Sequence, residues 1–205
     1  MDPLVLFTLA VSAVWLLNRQ QQGRRIALLG QQLAPYQIER LLQDLSQGYL
    51  RAMGEADPER RQQVLATLAP AEAQLCSQLD RLAADFARLP AESARISRLP
   101  IGLPFATQWW PAASFDMRAL LGLHARAVAS AVQNQAGLSP RDRAFVISAE
   151  LLLLQHSCHW FCKSLSVASA RMLARHQTPY AQLLQSVAPA TRQAYLALAT
   201  GRASP

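Results

Sequence analysis

The chain has 205 residues, with twenty basic against thirteen acidic side chains and a net charge of +7. Nineteen of the basic residues are arginine, spread along the chain without a Lys/Arg cluster longer than a pair, so nucleic acid is not an expected partner. Three cysteines, Cys76, Cys158 and Cys162, suggest no extracellular disulfide framework and agree with a reducing compartment.

The first element is the most informative. From Pro3 to Leu17 the sequence PLVLFTLAVSAVWLL has only Thr8 and Ser12 as polar side chains. As a helix this run spans about 22 Å, short of the roughly 30 Å hydrocarbon core. Asn18 to Gln22 add length but also amides, so the bilayer would have to thin or the flanks snorkel. A cleaved signal peptide would need positive charge before the apolar run and a small-residue cleavage site after it. Asp2 precedes the run, and cleavage in Ala10–Ala13 would leave its apolar region too short. Residues 1–22 are therefore read as an uncleaved transmembrane anchor with residues 3–17 in lipid; a signal peptide, or a buried or partner-binding helix, are the alternatives. Arg19, Arg24 and Arg25 follow the run and nothing positive precedes it. Basic residues favour the cytoplasmic side, which predicts a single pass with the N-terminus outside and the body in the cytoplasm. The abundance of Arg, Ala, Leu and Gln fits a bacterial genome rich in G and C, and hence a bacterial inner membrane.

Residues 23–34 read as a juxtamembrane helical stalk continuing the anchor, and residues 35–205 as a cytoplasmic helical bundle. Apolar residues recur at three- and four-residue steps, and no alternation of strand length is found. Ile38, Leu41, Leu42, Leu45 and Tyr49 mark one helix. Asp57-Pro58-Glu59 starts another, in which Pro70 either kinks the chain or opens a new helix. Leu75, Leu79, Leu82, Phe86 and Leu89 continue the apolar stripe, with Cys76 beside it. Residues 90–113 break the pattern. A helix is expected to resume at Ser114 as N-cap and stop at Gly137. Ser139-Pro140 opens a helix that could extend to His176, and Thr178-Pro179 and Ala188-Pro189 start two shorter ones. The fold class is thus all-α: a single N-terminal transmembrane helix, then a bundle of about six helices with a Pro/Trp-rich apolar loop.

That loop, residues 99–113, contains no charge. An apolar loop should be covered by something. Phe105, Trp109 and Trp110 could sit at lipid headgroup level or meet a protein partner, with Arg95 and Arg98 against lipid phosphates. Alternatively the loop caps the core with both Trp rings buried.

The second feature is HSCHWFC, residues 156–162. Thiolates and imidazoles one helical turn apart can bind a transition metal, which makes His156, Cys158, His159 and Cys162 candidate ligands, with His124 or another residue of a neighbouring helix needed to complete a site. No established metal or haem spacing is matched, and Ile147, Leu151, Leu154, Cys158, Phe161, Leu165 and Met172 make one apolar stripe, so core packing is the competing reading. Residues 144–162 have the length of a second span, but Glu150, Gln155, His156 and His159 argue for a central bundle helix. Glu150 is expected to pair with Arg126 or Arg143 rather than act as a catalytic acid.

No phosphate-cradling glycine loop, nucleophile elbow, triad motif or spaced carboxylate pair is found, so no catalytic residue is assigned and no cofactor is expected. The leading functional expectation is non-catalytic: a recruitment or scaffolding module that brings an unidentified protein partner to the bilayer, with homo-oligomers possible. The alternative is a metal-, haem- or lipid-binding bundle built on the His156–Cys162 segment.

Overall fold

In the computed structural model, which describes residues 2–201, the chain is about 80% helical with nine helices and a small two-stranded sheet. Helix α1 (Pro3–Leu33) begins where the Asp2 carboxylate accepts from the Leu4 amide at 3.0 Å and Pro3 fills the first turn. Its first half differs from its second. Every residue from Asp2 to Leu17 is exposed, whereas Asn18, Gln21, Gln22, Arg25, Leu28, Leu29, Gln32 and Leu33 turn at least partly inward. These steps of three and four describe a single helical face. One-sided packing therefore starts where the apolar run stops, within one unbroken helix.

Helix α2 (Ile38–Gly54) buries Ile38, Leu41, Leu42, Leu45 and Tyr49, the stripe its spacing predicts. Helix α3 (Pro58–Ala87) is capped by Asp57, which accepts from the Glu59 amide at 3.0 Å. Pro70 neither ends it nor starts another. The proline lies on the exposed face, where the freed carbonyl of Ala66 belongs to an exposed residue and can bond water.

Strands β1 (Arg95–Ser97) and β2 (Ser114–Asp116) pair antiparallel, with Ile96 opposite Phe115. They add a six-residue sheet to the predominantly helical fold and close residues 98–113 into a loop held at both ends. The one-turn helix α4 (Ala106–Trp109) lies within that loop. Ser114 is consequently a strand residue and not the expected cap. Asp116 caps α5 (Met117–Val132) instead, accepting from the Arg118 amide at 2.8 Å.

Helix α6 (Pro140–Cys162) starts at Ser139 as expected, but it does not run on to His176. The backbone leaves the helical region at Lys163, and the Ser164 hydroxyl caps α7 (Leu165–His176) by accepting from the Val167 amide at 3.3 Å. The break is anchored from outside, because the Ser166 amide donates to Pro100 O at 3.0 Å. Helices α8 (Tyr180–Ser186) and α9 (Pro189–Thr200) complete the body.

The helices share one core containing Leu45, Leu75, Leu82, Phe86, Met117, Leu120, Ile147 and Phe161. A polar knot crosses it. Glu72, 2% exposed, accepts from Tyr49 Oη at 2.6 Å and pairs with Arg143, whose guanidinium also donates to Val132 O at 2.9 Å. Arg143 is thus committed to Glu72 and not to Glu150. Removing one partner of a buried pair leaves the other charge uncompensated, at a cost of about 3 kcal/mol. Arg143→Met should lower the unfolding free energy of the detergent-solubilised chain by about that amount, read from denaturant titration. Arg40→Met, which removes an exposed pair with Asp44, should cost under about 1 kcal/mol.

Candidate functional site: the seam between the N-terminal helix and the Trp loop

The turn of α1 that follows the apolar run meets the loop and the end of α6. Asn18 Nδ2 donates to Gly102 O at 2.9 Å, and Gln21 Oε1 accepts from the Phe105 amide at 3.0 Å. Gln22 Oε1 accepts from Lys163 Nζ at 2.7 Å, and Arg25 donates to Phe161 O at 3.2 Å. Four polar side chains spaced 18, 21, 22 and 25 thereby tie one helical face to two separate segments. Burial pulls the Arg25 pKa below its ordinary value, against a smaller opposing effect from Cys162. The loop approaches closely because Gly102 has no side chain. A Cβ there would stand 3.2 Å from the Gln22 amide nitrogen and 3.4 Å from both Asn18 Oδ1 and Lys163 O. Phe105 is left-handed at φ 59°, an uncommon backbone state for a bulky residue. Its amide bond to Gln21 helps to hold that state.

The loop's apolar side chains divide. Pro104, Ala106 and Thr107 are buried, while Ile101, Trp109 and Trp110 stand 57%, 65% and 49% exposed. The core-cap reading of both Trp rings is thereby overturned. Trp160 on α6 fills that role, edge-on to Phe115 at 5.0 Å with its indole N–H on Ser97 O at 3.0 Å. The half-buried Phe105 and the outward Trp109 and Trp110 instead form an aromatic row, with successive centroids 5.8 and 5.9 Å apart. Because Gly102 and Phe105 are bonded to Asn18 and Gln21, this row lies beside the level at which the exposed apolar run of α1 ends.

The arginines singled out from the sequence have different fates. Arg19 lies over the Trp15 ring at 5.4 Å, and Arg24 is exposed. Arg25 turns into the body. Arg95 donates to Ser114 Oγ at 2.9 Å. Arg98 closes the end of α9 by donating to Leu198 O and Ala199 O at 3.0 and 2.9 Å, and it also reaches Ala112 O at 2.8 Å. Its donors serve backbone carbonyls, where a lipid phosphate was expected.

The His/Cys segment builds the interior. Among the described residues, no group of three or more His, Cys, Asp or Glu side chains could hold a metal ion. His156 stacks on Tyr180 at 4.4 Å, with Nε2 3.1 Å from Ser169 Oγ. His124 Nε2 lies 2.9 Å from Ser157 Oγ, which donates to Leu153 O. Cys162 is buried, and burial pushes the half-buried Cys158 thiol up to about 12, which disfavours the thiolate that a metal would require. His159 lines a different, open cleft. Glu150 Oε1 accepts from the Ala188 amide at 3.0 Å, fixing the start of α9. Burial raises the Glu150 pKa, against weaker lowering by Thr191 and the Ala188 amide.

Burial, with a smaller contribution from a neighbouring histidine, lowers the His124 pKa to about 3 and the His156 pKa to about 4. An unfolded chain takes up these protons near 6.5, whereas the folded chain resists them until well below. Their stabilisation is therefore present above 6.5 and lost as pH falls towards 4. Glu150 acts in the opposite direction, its contribution being lost as pH rises through its raised folded pKa. Between pH 7 and 5 the histidines dominate. The thermal midpoint of the solubilised chain should fall over that interval, and fall less in His156→Gln. At the seam, Gly102→Val should lower the midpoint by several degrees, whereas Gly54→Ala, with nothing within 4 Å of its Cβ, should change it little.

No family model, curated protein or solved structure matches the chain.

Proposed function

We propose that the chain is a single-pass membrane protein whose helical body is held flush against the bilayer as a non-catalytic recruitment platform. One observation carries this reading. The helix with an all-round exposed apolar half becomes, at Asn18, the helix that hydrogen-bonds the loop presenting Ile101, Trp109 and Trp110. α1 is long and apolar enough to cross a membrane by length and composition. Its run of about 22 Å is shorter than the hydrocarbon core, and a short anchor draws the body towards the surface. The Trp rings then meet the headgroup layer, where amphipathic aromatics prefer to lie.

Arg19 and Arg24 remain at the exit and support a cytoplasmic body in a bacterial inner membrane. The interior supports a platform role: His124, His156, Glu150 and the Glu72–Arg143 pair each join helices to one another. Tethering raises the local concentration of any partner-binding surface, so weak contacts suffice.

A reporter fused after Pro205 should fluoresce as a cytoplasmic fusion, and alkaline phosphatase there should be inactive; an active phosphatase reverses the orientation. A photo-crosslinker replacing Leu50, 68% exposed on α2, or Phe145, 50% exposed on α6, should capture one defined membrane-associated protein in intact cells. The capture should be lost when residues 3–17 are replaced by a soluble sequence. If neither position yields a protein adduct, recruitment is the wrong reading.

A further inference from the structure

The cleft that His159 lines, of about 390 Å³, opens between α6 and α7 and is lined by Gln155, Arg171, Arg175 and His176 among others. Its size is that of a small-molecule site. Its charge is one-sided: two arginines and two histidines, with no carboxylate in the lining. Among the described residues, neither Arg171 nor Arg175 forms an ion pair. Both are exposed and sit four residues apart on α7, one turn apart on the same face. Like charges at that spacing repel, and an anion between them would reverse the sign of the interaction. Planar guanidinium groups side by side match the oxygens of a phosphate.

We propose that this cleft binds the phosphate group of a soluble ligand, with Arg171 and Arg175 as the charged clamp and His159, His176 and Gln155 as further donors. The choice of a soluble source rests on the membrane reading above. Along α1, Gln22, which bonds Lys163, lies about 7 Å beyond the end of the apolar run, and His159 and Gln155 lie about 6 and 12 Å further down α6. Because Arg25 bonds Phe161 as Gln22 bonds Lys163, α6 runs antiparallel to α1, and the cleft lies on the side of the seam away from the apolar run. His159 reports occupancy. Burial lowers its pKa first, with Arg171, Arg175 and His176 on α7 acting the same way, and His156 is its titratable neighbour on α6. A bound dianion offsets the arginines and makes His159 easier to protonate.

The test uses the full chain in phosphatidylcholine nanodiscs at physiological salt, with inorganic phosphate and then pyrophosphate as probes. Calorimetry should give saturable binding that also raises the thermal midpoint. Arg171→Gln with Arg175→Gln should weaken it at least tenfold without lowering the midpoint in phosphate-free buffer, and Arg126→Gln, an exposed arginine outside the cleft, should leave it unchanged. The His159 ring resonances should titrate at higher pH with phosphate present. No saturable binding, or equal binding by the double variant, overturns the proposal. Replacing part of the lipid by phosphatidylglycerol separates the two sources of phosphate. Unchanged affinity supports a soluble ligand, while competition that disappears in the double variant assigns the cleft to a lipid headgroup and overturns the soluble assignment. The micelle-solubilised chain should bind phosphate equally well, so loss of the membrane reading alone would leave this binding intact.

Discussion

The four polar contacts made by Asn18, Gln21, Gln22 and Arg25 are the constraint on which the rest of the structure depends. A helix curves only gently unless its own hydrogen bonds are disturbed. Once this turn is fastened to Gly102, Phe105, Lys163 and Phe161, the apolar half must project from the body at one set height. The Trp loop is fastened to the same turn and shares that height. Two apolar surfaces that would each be a liability in water are thereby brought into register, and one bilayer can cover both.

The interior supplies the stiffness this arrangement requires. Ion-paired Glu72, the histidines bonded through Nε2 to Ser157 and Ser169, and Glu150 bonded through Oε1 at the start of α9 each reach across to a different helix. Buried polar groups are costly when unpaired, so each contact fixes the register of the helices it joins. A body locked in this way couples the seam to surfaces elsewhere on the helices, the basic cleft between α6 and α7 among them.

The strongest local signals were readable from the chain. Asp57-Pro58 and Ser139-Pro140 start helices because the cap side chain, the preset proline φ and the missing N–H all act within a few residues. The stripe from Ile38 to Tyr49 is likewise a local periodicity. What escaped depends on distant partners. The strand pair needs Ile96 and Phe115 to meet across eighteen intervening residues, and each strand has only three residues, too few for alternation to register. The break after Cys162 rests partly on a bond from Ser166 to Pro100 that no local rule anticipates. Asn18, Gln21, Gln22 and Arg25 did carry a signal, since their spacing traces one helical face. In sequence that spacing reads only as a polar end to the span, because the loop they bind lies about eighty residues away. Arg171 and Arg175 were visible as an i,i+4 pair, but the cleft beside them exists only once α6 and α7 fold back on one another.

The central claim is that a single bilayer covers both the apolar half of α1 and the outward Trp row. Fluorescence quenching by brominated phosphatidylcholines tests it most directly, using a full-length chain in which Trp15→Phe and Trp160→Phe leave Trp109 and Trp110 as the only indoles. Bromines high on the acyl chain should quench strongly and bromines deep in the bilayer weakly, as expected for rings at the headgroup boundary. Emission typical of water, with no quenching at any bromine depth, would contradict the account.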